Sequence, residues 1–505
     1  MRARSIYLPL IVVLAGVTAL AMYVPAIFAA VSRDWLSARA FFYSGTIVLS
    51  LTAMVALALA NRSPAKSERK PLIDIVAAFV GLPVVMALPV WEIGGGELTL
   101  LDSYFEMVSS FTTTGASVVE GLVPDAVHLW RALVAWLGGF LVWVAAVAIL
   151  APLSLGGFEV LRPRAARSES AFSQIAYTAD ISERLLHFAA RLAPIYSGLT
   201  IALWFGLFLL GDRGLVALCH AMSTLSTSGI SPVGGQPGAS SGFGGELLIL
   251  VFFAFALSRR TFSREATSAG DRYFWSDPEL RLGLLLAATV SGMLFLRHWV
   301  GAVEAQQDSG GWLDGLRALW GGAFTVLSFM TTTGFESASW EQARDWSGLR
   351  TPGLIFLGLA LVGGGVATTA GGVKLLRVHV LYRHGQRELE RLVHPSSVGS
   401  VSGGLRSEWR QGAFMAWIFF MLFALSVAVV MLALSLTGIG FDSAVVLTIA
   451  ALSTTGPLAN VAVDQVLIYS TLTDAAKLIL SASMILGRLE TLAIISLFNP
   501  EFWRN

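Results

Sequence analysis

The chain has 505 residues and a formal net charge of +1, with 55% apolar and only 13% charged residues, against about 25% charged in an ordinary soluble domain. That composition excludes a water-soluble globular protein and makes lipid the solvent for most of the chain. With one cysteine, Cys219, an intrachain disulfide and a multi-thiolate metal site are both excluded. The near-zero net charge says nothing of partners, and no nucleic acid is expected among them.

In chain order, apolar runs of about 20 residues, enough to cross a bilayer, begin near Ile6, Phe41, Leu72, Leu129, Leu192, Leu282, Pro352, Phe414 and Ala475, and a shorter run from Leu247 to Leu257 makes ten. The first follows Arg2 and Arg4 and is read as a retained helix rather than a cleaved signal peptide, because it is long and further spans follow. Basic loops carry Arg62, Lys66, Arg69 and Lys70, then Arg162, Arg164 and Arg167, then Arg259, Arg260, Arg264 and Arg272, then Lys374, Arg377, Arg383, Arg387 and Arg391. They alternate with loops free of Lys and Arg, such as Trp91 to Trp130 with Glu92, Glu97, Asp102, Glu106, Glu120 and Asp125. By the positive-inside rule the basic loops and both termini lie in the cytoplasm and the acidic loops outside.

Four internal segments share one pattern: about 11 mostly apolar residues, then Ser or Thr, then Gly. They end at Thr113-Thr114-Gly115, Thr227-Ser228-Gly229, Thr332-Thr333-Gly334 and Thr454-Thr455-Gly456. Eleven helical residues rise only about 16 Å, so each segment can enter a bilayer but not cross it. The glycines are 114, 105 and 122 residues apart, and each segment falls between two candidate spans. The chain is therefore expected to be an all-α polytopic membrane protein of four span–pore-loop–span repeats around a central pore. Two N-terminal helices occupy residues 1–65, and the repeats occupy 66–160, 161–265, 266–395 and 396–505. One such motif alone would read as ordinary close packing of small residues; four in equivalent places do not. A re-entrant backbone is tolerated at membrane depth where it is buried or lines a watery cavity. Consecutive carbonyls facing one side can replace the water around K⁺, which needs backbone angles that glycine reaches cheaply. Gly115, Gly229, Gly334 and Gly456 are expected to supply them, and the Thr and Ser before them hydroxyl oxygens. The half-helix dipoles would favour a cation at the centre.

These residues resemble the Trk/Ktr/HKT superfamily of potassium transporters, most closely its bacterial Trk-type membrane subunit. The resemblance extends beyond the four segments to Gly363-Gly-Gly-Val-Ala-Thr-Thr-Ala-Gly-Gly-Val-Lys374, which looks like the family's intramembrane gating loop. Met484-Ile-Leu-Gly-Arg-Leu-Glu490 and Phe498-Asn-Pro-Glu-Phe-Trp503 are similar to its last helix and C-terminus. It implies K⁺ as the transported ion bound at the twelve Ser/Thr and Gly residues named above, no organic cofactor, and potassium uptake at the bacterial inner membrane. It also implies a homodimer and a separately encoded cytosolic ring of nucleotide-binding subunits. Thr227-Ser-Gly-Ile-Ser231 departs from an expected Gly-Gly-Phe, which keeps a sodium or unselective monovalent cation transporter of the same fold as the alternative. Passive and ion-coupled flow fit the sequence equally.

Gly363, Gly364, Gly365, Gly371 and Gly372 each disfavour helix by about 1 kcal/mol relative to Ala, so this span must break, and with Thr368 and Thr369 it is expected to form a gate. Arg488 lies deep in the last span, where a cation is unfavourable by about 2.5–3.5 kcal/mol unless it meets water or a partner. It is expected to point into the pore toward the loop, with Lys374 as the loop's inner anchor. The basic stretch from Arg377 to Arg410 is expected to dock the cytosolic ring. His220 and His298 stand alone, without a second ligand at helical spacing, and read as structural. No H-E-x-x-H motif and no large cytosolic domain is present, so the chain is not expected to be an enzyme.

Overall fold

The computed structural model describes residues 9–59, 70–119, 123–150, 181–258, 277–305, 312–348, 352–394, 403–462 and 467–489. Most of the basic-loop residues, including Arg62, Arg162, Arg164, Arg167, Arg260 and Arg264, lie outside this set, as do Glu490 and the 498–503 motif. Among the described residues every regular element is helical. The first hairpin is α1 (Leu10–Ala21), α2 (Tyr23–Val31) and α3 (Trp35–Leu59). It packs on α4 (Lys70–Ile93), and Leu10, Met22, Ala26 and Phe41 join the largest apolar core.

Next come α5 (Leu100–Phe111) and α6 (Asp125–Ala145), the latter ending in a π-turn at Ala146–Leu150. They are followed by α7 (Ile181–Leu209), α8 (Gly214–Ser226), α9 (Gly242–Phe252), α10 (Ala254–Leu257), α11 (Pro278–Ala305) and α12 (Trp312–Met330). The chain continues through α13 (Trp340–Ser347), α14 (Gly353–Val362), α15 (Leu375–Val393), α16 (Gly403–Leu436), α17 (Phe441–Leu452), α18 (Leu458–Val461) and α19 (Asp474–Leu489).

Among the described residues, seven helical stretches are long and apolar enough to cross a membrane: Leu10–Val31, Trp35–Leu59, Ile73–Ile93, Asp125–Leu150, Arg184–Leu209, Pro278–Arg297 and Gly412–Leu436. The other three runs read as spans are shorter. Gly242–Leu257 is interrupted at Phe253, the run from Pro352 stops at Val362, and α19 is described only to Leu489. The break at 363–374 follows from the five glycines in twelve residues, which remove the conformational bias that would carry α14 onward.

Each of the four segments forms a short helix: α5, α8, the C-terminal part of α12, and α17. Their helical starts are built differently. Thr99 caps α5 in a capping box with Asp102, whose own side chain reaches back to the Thr99 N–H at 3.1 Å. Asp102 also takes Lys477 Nζ of α19 at 2.6 Å, so one carboxylate starts a helix and ties it to the last span. The helix ends are seated by close approach. A Cβ on Gly138 of α6 would lie 2.0 Å from Phe111 O, and one on Gly487 of α19 would lie 2.2 Å from Leu452 O. Small residues at such points let backbones touch where no hydrophobic effect drives helices together in lipid. Aromatic rings fill the remaining space, as with Phe79 on Phe111 at 4.7 Å and Phe41 on Trp130 at 5.7 Å.

Candidate functional site

The four short helices end in the same hydrogen-bonded cap. Thr113 N–H donates to Ser110 O at 2.9 Å and Thr114 N–H to Ser109 O at 2.8 Å; Thr332 and Thr333 do the same to Phe329 O and Ser328 O at 3.1 and 3.0 Å. The pairs Thr227 and Ser228, then Thr454 and Thr455, repeat it. This is the Schellman arrangement, in which one residue must turn left-handed and is usually Gly. Here it is threonine every time: φ is 57° at Thr113, 55° at Thr227, 58° at Thr332 and 55° at Thr454. A β-branched residue in that region is an outlier and is unfavourable by roughly 1–3 kcal/mol, and it recurs here at four equivalent places.

Glycine follows two residues later, and its role differs from the expectation in one segment. Gly115, Gly229 and Gly334 have φ of 76°, 66° and 79°, so left-handed residues alternate with the intervening Thr114, Ser228 and Thr333. Gly456 is not left-handed. Its lack of a side chain serves close approach instead, since a Cβ there would sit 2.2 Å from Ala116 N. The other glycines also abut their neighbours. A Cβ on Gly115 would meet Ser228 O at 1.9 Å, one on Gly229 would meet Thr333 O at 2.2 Å, and one on Gly334 would meet Pro457 at 2.9 Å. With Gly456 N–H donating to Thr114 O at 2.6 Å, the four segments close a ring in chain order.

Two of the four left-handed threonines are tied to the 363–374 loop. Thr227 Oγ1 donates to Thr369 O at 2.9 Å, and Thr332 Oγ1 accepts from Gly371 N–H at 2.8 Å. The hydroxyls of Thr113 and Thr454 are buried and have no hydrogen-bond partner among the described residues. The loop is bound on several further sides: Thr369 Oγ1 to Leu225 O at 2.8 Å, Gly365 N–H to Ala256 O at 2.9 Å, and Val366 N–H to Glu279 Oε1 at 2.9 Å. Within it Thr368 Oγ1 donates to Gly365 O at 2.7 Å. Gly363 and Gly372 are left-handed, and Gly364 and Gly371 face each other across the turn through a 3.4 Å N–H···O contact. Arg488 of α19 is buried and donates from Nη1 to Thr369 O at 2.6 Å. Lys374 is also buried and folds its Nζ back onto Ala370 O.

Two expectations need correction. Asp102 and Glu106, read with the acidic outer loops, are buried in α5. Glu106 is ion-paired with Arg131 of α6 and accepts from Val118 N–H at 2.9 Å, because a carboxylate inside the fold persists only with donors around it. Arg377, placed on the docking face, is fully buried: its guanidinium lies 3.7 Å from the Phe419 ring centre and donates to Val373 O. Sequence reasoning also missed Glu246 of α9, which gathers Trp320 Nε1, Ser337 Oγ and Ala338 N–H within 2.6–3.0 Å behind the third segment. A lone Glu opening an apolar helix was the available mark.

The family model for the TrkH cation transport proteins matches residues 37–235 and 242–504. The chain belongs to the TrkH family. It is 30% identical to the Trk system potassium uptake protein TrkH of Escherichia coli (strain K12) over 489 residues, 96% of each chain. It is likewise 30% identical to the TrkH of Vibrio parahaemolyticus over the whole of both. The crystal structure of the potassium transporter TrkH from Vibrio parahaemolyticus superposes with a TM-score of 0.81 at 27% identity, covering all of both chains. The family fold is thus that of a helical membrane transport protein, and the ring of Ser/Thr-Gly segments sits within the matched residues.

Proposed function

We propose that this chain takes up potassium across the bacterial inner membrane, with its basic loops and termini in the cytoplasm. The four pseudo-repeats supply a selectivity filter of Thr113, Thr114, Gly115, Thr227, Ser228, Gly229, Thr332, Thr333, Gly334, Thr454, Thr455 and Gly456. The observation that carries this reading is the closed ring of four Schellman caps with left-handed threonine. In the first three segments the backbone alternates in handedness from the threonine to the glycine, which turns successive carbonyls to one side, as a dehydrated K⁺ requires of its ligands. The four helix C-termini behind them add negative dipole ends that favour a cation.

The loop from Gly363 to Lys374, with Arg488 bonded to its Thr369 carbonyl, serves as the gate. Arg488 places positive charge beside the pathway and holds the loop against the second and third filter segments. The working form is a homodimer, and a cytosolic ring of nucleotide-binding subunits regulates it; the relatives' names describe a Trk system, which supports further components. Reconstitution in liposomes tests the reading, with K⁺, Rb⁺ and Na⁺ flux measured with and without a pH gradient. Selective K⁺ and Rb⁺ flux is expected, and equal K⁺ and Na⁺ flux overturns it. A flux that follows the pH gradient assigns coupled transport.

A further inference from the structure

The residue nine positions before each filter glycine is Glu106, His220, Thr325 and Leu447. In the first three segments this side chain reaches the stretch just after the glycine. Glu106 takes Val118 N–H and Ser117 Oγ at 2.9 and 3.2 Å, and Thr325 Oγ1 takes Ser337 N–H at 3.2 Å. His220 Nε2 lies 2.8 Å from Ser231 Oγ. His220 is therefore not the isolated residue it looked in the sequence but one member of a recurring brace.

Its surroundings are more elaborate than those of the other two. Gln236 Nε2 lies 3.5 Å from His220 Nδ1, and Asp212 Oδ2 lies 4.0 Å from it. Asp212 Oδ1 accepts from Ser240 N–H and Ser241 N–H, both at 2.8 Å, and Oδ2 accepts from Ser241 Oγ at 3.0 Å. Asp212, His220 and Gln236 are all buried. The chain between Ser231 and Ser241 is thus clasped at its start by His220, midway by Gln236 and at its end by Asp212. The ring of His220 also meets Phe335, the residue after Gly334, at 5.5 Å and edge-on. One imidazole contacts the outer stretch of two neighbouring filter segments.

We infer that His220 is a positioning residue for selectivity: its hydrogen bond to Ser231 fixes the outer stretch of the second filter segment, where Gly229-Ile230-Ser231 replaces the glycine-rich sequence of the family. Ser231 Oγ also accepts from Val233 N–H at 3.2 Å, so this one hydroxyl links the outer backbone to His220, and among the described residues no other hydrogen bond from the pore helix reaches the backbone of residues 229–235. A shift of that stretch widens the ring of carbonyls, which admits the smaller, more strongly hydrated Na⁺. This rests on the filter reading above.

The test is the K⁺/Na⁺ flux ratio of reconstituted protein for the parent, His220→Leu, Ser231→Ala, the double variant and His220→Gln. Loss of one buried hydrogen bond corresponds to about a fivefold change in an equilibrium, so each of the first two variants is expected to lower the ratio about fivefold. The double variant should fall by less than the product of the two single losses, because both break the His220–Ser231 bond, while His220→Leu also loses the Gln236 contact and Ser231→Ala also loses Val233 N–H. His220→Gln keeps an N–H donor near the Nε2 position and should restore the parental ratio, which loss of packing alone would not allow. An unchanged ratio in Ser231→Ala, additive losses in the double variant, or a Gln variant as impaired as Leu each overturns the inference. If His220→Leu does not fold, Ser231→Ala and His220→Gln still decide. An unselective parent overturns the filter reading and this inference with it, whereas a selective parent with unaffected variants overturns the inference alone.

Discussion

Gly115 shows how one residue serves two demands at once, a left-handed backbone and contact with Ser228 O of the next segment. Gly115→Ser adds a Cβ where there is no room and strains a φ of 76°. It is expected to lower K⁺/Na⁺ discrimination by about tenfold, the equivalent of roughly 1.4 kcal/mol, measured as the ratio of initial fluxes in liposomes. Unchanged discrimination would show that the ring does not select. Glu106 makes a different demand, since its partner Arg131 is as buried as it is. Glu106→Gln leaves the guanidinium without a counter-charge and is expected to destabilise by about 3–5 kcal/mol, read as a fall in unfolding temperature in detergent. A fall of under a degree would mean that Arg131 finds water or another acceptor.

At the scale of elements, the 363–374 loop is a broken span whose exposed backbone groups are taken up by its neighbours. Its ties run to Leu225 and Thr227 beside the second filter segment, to Thr332 in the third, to Ala256 and Glu279, and to Arg488. If this loop is the gate proposed above, it opens only when these bonds break, and deleting them should favour the open form. Arg488→Ala, or deletion of Val366 to Thr369, is expected to raise K⁺ flux at saturating concentration severalfold; at about 1 kcal/mol per lost hydrogen bond a fivefold gain is the natural scale. Equal or lower flux in stable, monodisperse protein argues against the gate. Because Thr227 and Thr332 hold the loop while Thr113 and Thr454 do not, the four segments are unequal despite their common cap.

At the scale of the whole molecule, the exposed basic surface available to the proposed regulatory ring is narrower than the basic residues of the sequence suggested. Arg377 is buried against Phe419, whereas Arg383 and Arg387 of α15 are exposed. Reversing both to Glu is expected to abolish co-purification with the cytosolic subunit from a native membrane extract while leaving unregulated flux intact. Retained association would move the dock elsewhere.

Composition and apolar run length made the membrane class and seven of the ten candidate crossings legible, because the bilayer imposes a length and a polarity on every span. The repeat was legible because Ser/Thr-Gly recurs at similar intervals. The broken span was legible because clustered glycine carries little helix preference. Three things were decided only by tertiary structure. Threonine, not glycine, makes the first left-handed turn, and no local preference of threonine announces that; the ring of neighbours imposes it. Gly456 is required by the approach of Ala116, a contact between residues 340 apart in the chain. Glu106 and Arg377 were read as loop charges, and Glu246 and Lys477 stood out for nothing, because polarity in a sequence does not say where its partner is. Each is buried because another element brings the matching donor, acceptor or aromatic face to within hydrogen-bonding or stacking distance, and that proximity exists only once the helices have packed.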